Sequence, residues 1–167
     1  WMNQSLEVIC NKRRVFQGYN LFVKGAGYAA LSEIGFGNTE NYQFVCSGRT
    51  LVNIELEIEK DNKTLPVILS KAGTNWYEAG ARAEGILDDS REISLKLVSS
   101  LSKNTKELTI DLRGFPPRPN KVTRVEIILA YRNDRQCIIL VKDLGFGDFF
   151  KASDEIVKTT IDIEDYL

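Results

Sequence analysis

Three short patterns in this 167-residue chain could do chemistry. Gly25-Ala26-Gly27-Tyr28-Ala29-Ala30 satisfies G-x-G-x-x-A. In a dinucleotide site such glycines follow a strand directly and let a pyrophosphate reach a helix N-terminus. Here the flanking residues have a helical period, so the glycines are expected inside a helix and no dinucleotide site is expected. Gly145-Phe146-Gly147 follows Asp143 and could offer backbone N–H groups to an anion. A sharp turn anchored by its aromatic residue is the preferred reading. Glu55, Glu57 and Glu59 share one face of an alternating segment. They could hold a cation, but a solvated carboxylate face is the expectation.

The residues that are missing narrow the chemistry further. The chain has no histidine, which removes His-based acid–base catalysis, His-dependent serine or cysteine nucleophiles and most zinc sites. Its three cysteines, Cys10, Cys46 and Cys137, are far apart and form no C-x-x-C pair. They read as free, reduced thiols buried as small hydrophobes, in a cytoplasmic setting. With 22 basic and 23 acidic residues there is no surplus of positive charge to suggest nucleic acid. Lys12-Arg13-Arg14 reads as a solvated helix end. No apolar run approaches the roughly 20 residues that span a bilayer, and no signal-peptide pattern opens the chain. The expectation is a protein or peptide partner, without nucleic acid or membrane, and no enzymatic activity of the chain itself.

Two regions with different periods must position these residues. Met2, Leu6, Ile9 and Cys10 recur at helical spacing, predicting a helix over 2–13. A brief strand at 15–17, a turn at 18–20 and a second helix over 21–33 follow, ended by Gly35-Phe36-Gly37-Asn38. From about residue 42 the period becomes two. Val52, Ile54, Leu56 and Ile58 alternate with polar residues, and after Asp61-Asn62-Lys63 so do Leu65, Val67 and Leu69. Residues 78–87 alternate small residues and end at Asp88-Asp89-Ser90. Further alternating runs centre on Ile93, Leu95 and Leu97, on Leu108, Ile110 and Leu112, and on Val125, Ile127, Leu129 and Tyr131. The last two are Cys137, Ile139 and Val141, then Val157, Thr159, Ile161 and Ile163. The fold expected is mainly β, an antiparallel β-sandwich of about eight strands with a small N-terminal α/β element. The domains expected are 1–41 and 42–167.

Two stretches resemble known families. Ile110-Asp111-Leu112-Arg113-Gly114-Phe115-Pro116-Pro117-Arg118-Pro119, then Val125 to Tyr131, then Ile138-Ile139-Leu140-Val141-Lys142-Asp143, resemble the β-sandwich substrate-binding subdomain of the seventy-kilodalton heat-shock chaperones. In that family a strand ends in a Gly-apolar-x-Pro-x-Pro turn, and a long hairpin follows and closes on Lys-Asp. Leu87 to Leu95 resembles the family's acidic turn leading into a strand. At the front, Val23 to Leu31 resembles the last helix of the actin-like ATPase fold. The order matches the C-terminal end of a bacterial actin/chaperone-like protein, and Trp1-Met2 reads as the start of an excised fragment.

The resemblance implies a non-catalytic module that binds a peptide or protein for a chaperone-like ATPase. Its pocket would be Ile58, Ala83, Ile86, Ile93, Leu95 and Val125. No cofactor is implied for this chain; ATP and magnesium would belong to the full-length parent, whose phosphate-binding loops lie upstream. The departures are specific. Asn41 to Cys46 replaces the family's acid-plus-leucine linker, no helical lid follows the last strand, and the turn at 61–63 is polar where the family has an apolar arch. They leave open an assembly domain that docks on its own ATPase domain or a sister subunit. A sugar-binding or enzymatic sandwich is the remaining alternative.

Overall fold

The computed structural model describes residues 20–36, 46–60, 63–88 and 91–167. The predicted helix at 2–13, the strand at 15–17, the linker-like 41–45 and the turn residues Asp61, Asn62, Asp89 and Ser90 lie outside these described residues. The chain divides into two compact units, Trp1–Tyr42 and Gln43–Leu167.

In the first unit, α1 spans Leu21–Glu33, as its period predicts. Gly25 and Gly27 lie within it, so they form no strand-to-helix phosphate turn. Asn20 precedes it without a side-chain cap. Its C-terminal end is closed by Gly35 at φ +72, with the Phe36 N–H donating to the Leu31 carbonyl. A left-handed glycine is the usual way to satisfy the last carbonyls of a helix.

The second unit is an antiparallel β-sandwich of eight strands. They are β1 (Val52–Lys60), β2 (Lys63–Ser70), β3 (Ala81–Leu87), β4 (Glu92–Ser99), β5 (Thr105–Asp111), β6 (Thr123–Asn133), β7 (Gln136–Gly145) and β8 (Ile156–Asp162). One sheet has the order β2-β1-β4-β5 and the other β3-β6-β7-β8. β2 and β3 are therefore edge strands joined by the first crossing between sheets. Alternation decides what lies between the layers, because successive side chains of a strand point to opposite faces. Val52 and Ile54 of β1 and Leu95 and Leu97 of β4 point inward and are buried. Val125, Ile127 and Leu129 of β6 and Cys137, Ile139 and Val141 of β7 meet them from the other sheet.

Two local departures from the pattern have visible causes. The last strand stops at Asp162, one residue short of the expected Ile163. The Asp162 side chain accepts the Glu164 N–H at 3.1 Å and starts a 3-10 turn over Ile163–Tyr166, while Ile163 stays buried. β2 carries Pro66, opposite Glu57 of β1. A proline fits an edge strand, where its missing donor faces away from the ladder.

Candidate functional site

The six positions implied by the resemblance fall on four strands of both sheets. Ile93 and Leu95 on β4 and Val125 on β6 belong to the sealed core, at 6%, 0% and 2% exposure. They present no surface to a ligand. Ala83 is half-buried and packs on that core; Ile58 is half-buried near the end of β1. Ile86 is displaced from the others. Its register partner is Arg124, whereas Ala83 pairs with Ile127 and Gly85 with Val125. Inward Ala81, Ala83, Gly85 and Leu87 therefore alternate with outward Arg82, Glu84 and Ile86, and Ile86 cannot share a pocket with Val125.

What these positions do locate is an incompletely buried margin on β1, β2 and β3. Leu65 and Val67 of β2 pair with Ile58 and Leu56 of β1 and point inward with them. Leu65 nevertheless remains 44% exposed, and Ile58 and Val67 are only half-buried. On β3 of the other sheet, the inward residues before Leu87 are small: Ala81, Ala83 and Gly85. Gly85 is exposed, and a Cβ built there would meet nothing within 4 Å. Inward-facing apolar residues on β1 and β2 thus stay accessible, and β3 has room for a side chain at Gly85. Leu65, Val67 and Gly85 were not among the expected site residues. The alternation of small residues along 81–85 is the sequence signal that marks them.

A polar recess opens near the β3–β4 connection, lined by Leu87, Asp88, Arg91, Phe115, Pro116 and Arg118, among others. Arg118 is not free to meet a ligand there. Its guanidinium donates twice to the Asp143 carboxylate, at 2.6 and 2.7 Å, with both side chains almost fully buried. Asp143 also accepts the Gly145 N–H at 2.9 Å and the Ser153 N–H and hydroxyl at 2.8 and 2.6 Å. Burial alone would raise this carboxyl. The Arg118 guanidinium, then Ser153 and Gly145, more than offset it and hold Asp143 well below the usual carboxylate range. The same guanidinium donates to the Lys151 carbonyl at 2.8 Å, so one buried pair ties the proline-rich turn, the end of β7 and the loop before β8.

The remaining chemical candidates resolve as structure. Gly145 and Gly147 both take positive φ in a tight turn. A Cβ at Gly145 would lie 2.3 Å from the Phe150 carbonyl oxygen, so only glycine fits there. The Gly145 N–H is already used by Asp143. Glu55, Glu57 and Glu59 lie on the outer face of the first sheet, and Glu57 pairs with Lys96 of β4. The hydrogen bond from Lys96 to Glu57, with the charges of Glu57, Glu107 and Glu55, raises the Lys96 ammonium above its ordinary value. No group of three or more potential metal-ligating side chains occurs among the described residues. Cys137 is fully buried, and burial pushes its thiol up to about 12, which leaves it protonated and unreactive at neutral pH. Cys46, expected to be buried, is instead exposed, just before the first strand of the sandwich, and Cys10 lies outside the described residues.

Because Ile93 is core, Ile93→Phe is expected to overpack the interior and cost roughly 1–3 kcal/mol. Equal melting temperatures for the wild type and this variant would mean that free space lies beside Ile93.

Comparison with known proteins places these features in families without an assigned role. Residues 1–47 match a family of unknown function (DUF5716), in its C-terminal region. No curated protein matches the chain. Residues 49–163, which hold all eight strands and the Arg118–Asp143 pair, match the model described as a domain of unknown function (DUF8552). That match spans more than half of the sequence, and the chain belongs to the DUF8552 family.

Proposed function

We propose that this chain is a non-catalytic peptide- or protein-binding module of a chaperone-like ATPase, and that it takes an extended apolar segment along the margin between β2 and β3. The observation that carries the reading is that inward-facing Ile58, Leu65 and Val67 stay accessible while Gly85 of β3 has room for a side chain; together they would form a recess along this margin. β2 and β3 are also edge strands, so each offers unpaired backbone groups to an added strand. Backbone bonds would supply affinity and the recess would select apolar side chains. ATP and magnesium would act in the ATPase part of such a parent protein. The alternative, a docking domain for its own ATPase domain or a sister subunit, draws on a different surface, the outer face of the second sheet.

Gly85→Val separates binding from stability. Gly85 sits in a strand with room for a side chain, and a β-branched residue suits that backbone. The variant should melt at or above the wild-type temperature. Its affinity for apolar peptides should nevertheless fall by roughly tenfold, because the new side chain occupies the recess. Fluorescence anisotropy with a labelled apolar peptide library measures this. No binding by the wild type, or undiminished binding by Gly85→Val, overturns the reading.

A further inference from the structure

The two outer faces of the sandwich differ in kind. That of the first sheet is mainly polar, with Glu55, Glu57 and Glu59 on β1, Lys96 on β4 and Glu107 on β5, and one exposed apolar residue, Ile68 of β2. That of the second sheet is apolar at its centre. Ile128 of β6 faces Leu140 of β7, and in the next row Ala130 faces Ile138. These are outward positions, alternating with the buried Ile127, Leu129, Ile139 and Val141. Ile156 on β8, diagonal to Leu140, extends the patch and is 53% exposed, and Ile86 on β3 is 55% exposed on the same face beyond the Glu84–Glu126 row. No described helix or strand of the sandwich unit lies over it. A solvent face of an antiparallel sheet is ordinarily polar, and a contiguous apolar patch of this kind marks an interaction surface.

The charges around the patch select the partner. Arg124, Lys142 and Lys158 are exposed on the same face, beside Ile86, Ile156 and Leu140 respectively. Glu126 shares the face but is 4% exposed and ion-paired with Arg82, so that pair presents little net charge. The exposed acids are Glu84 and, at the far end of β8, Asp162, whose carboxylate is already engaged by the Glu164 N–H. The patch is thus apolar with a basic border. A second copy fits it poorly. Its matching face would bring a basic border against a basic border, and its other face would set the glutamate row of β1 on the apolar centre, where desolvation of carboxylates is costly. We propose that the outer face of β6 and β7 is a docking surface for a polypeptide segment that carries an apolar stripe bordered by carboxylates. The stripe covers Ile128, Ile138 and Leu140, and the carboxylates meet Arg124, Lys142 and Lys158. Such a border sets orientation and partner choice more than raw affinity. The surface is separate from the β2–β3 margin, so neither proposal depends on the other.

Two designed helical peptides test it on the full chain by anisotropy. They share one leucine stripe, bordered by glutamates in the first and by lysines in the second. The glutamate peptide should bind at least about tenfold more tightly at low ionic strength, and the gap should narrow in roughly 1 M salt. Leu140→Glu should remove binding of the glutamate peptide. Lys142→Glu with Lys158→Glu, both at exposed positions, should invert the preference while the melting temperature stays near wild type. Equal binding of both peptides overturns the charge complementarity, and binding of neither overturns the surface. A wild-type dimer in analytical ultracentrifugation that Leu140→Glu abolishes would assign the face to a second copy instead. Gly85→Val should leave all of these readings unchanged.

Discussion

Asp143→Asn is expected to destabilise the sandwich by about 3–5 kcal/mol, the usual cost of breaking a buried ion pair from one side. The substitution preserves the shape of the side chain but removes its charge. Arg118, almost fully buried, is then left as an uncompensated cation. The Gly145 and Ser153 N–H groups also lose a charged acceptor. Removing both partners should be milder. Arg118→Leu with Asp143→Leu leaves no orphaned charge; the donors at Gly145 and Ser153 lose their acceptor and the Lys151 carbonyl loses its donor. If the double variant is less stable than Asp143→Asn, the pair has been assigned the wrong role. Its pH dependence has a definite sign. The folded-state carboxyl is depressed below its unfolded value of about 3.9, so its contribution is fully present above that pH. It is lost as pH falls through the folded value. Urea melts of the wild type should therefore lose stability on acidification below about pH 4, and those of Asp143→Asn should lose less over the same window.

This pair also shows where reading a sequence stops. The strands were legible because each buries one face, and a period of two is a local property of five or six residues. α1 was legible for the same reason at the helical period, and so was the turn at Gly145 and Gly147. The partnership of Arg118 with Asp143 spans 25 residues and two connections. No spacing rule announces it, and the proline run around Arg118 reads in isolation as a free stiff connection. The expected pocket failed to assemble in a more instructive way. Ala83 and Ile86 are three residues apart, and an unbroken strand must send them to opposite faces. Parity alone separates them, whereas positions transferred from a resemblance do not obey it automatically. Ile93, Leu95 and Val125 have the right parity for an inner face. Whether an inner-face residue is sealed or accessible depends on the volume of the residues opposite. That volume is large at Leu97, Ile127 and Leu129 and vanishes at Gly85.

Parity has its largest expected consequence at the centre of β6. Ile127 points inward and is 4% exposed; its neighbour Ile128 points outward and is half-buried. Ile127→Asp places a carboxylate among Ile54, Leu95, Ile139 and the other core residues, where no described side chain is positioned to pair with it. Burial of an unpaired charge and loss of a large aliphatic group together should cost about 4 kcal/mol or more. For a unit of this size that corresponds to a fall in melting temperature of roughly 15 °C or more. Ile128→Asp changes the same residue type on the same strand, but its carboxylate reaches solvent. It should cost about 1 kcal/mol, mainly through the poor strand propensity of aspartate. The variant should stay folded while losing the glutamate-bordered peptide, because the new carboxylate would stand in the apolar centre of the proposed docking face. One pair of melts and one titration thus test the register and the surface together. If Ile127→Asp melts within a few degrees of Ile128→Asp, the inward and outward faces of β6 are not those described. If Ile128→Asp stays folded and still holds the peptide, the register stands and the docking face falls.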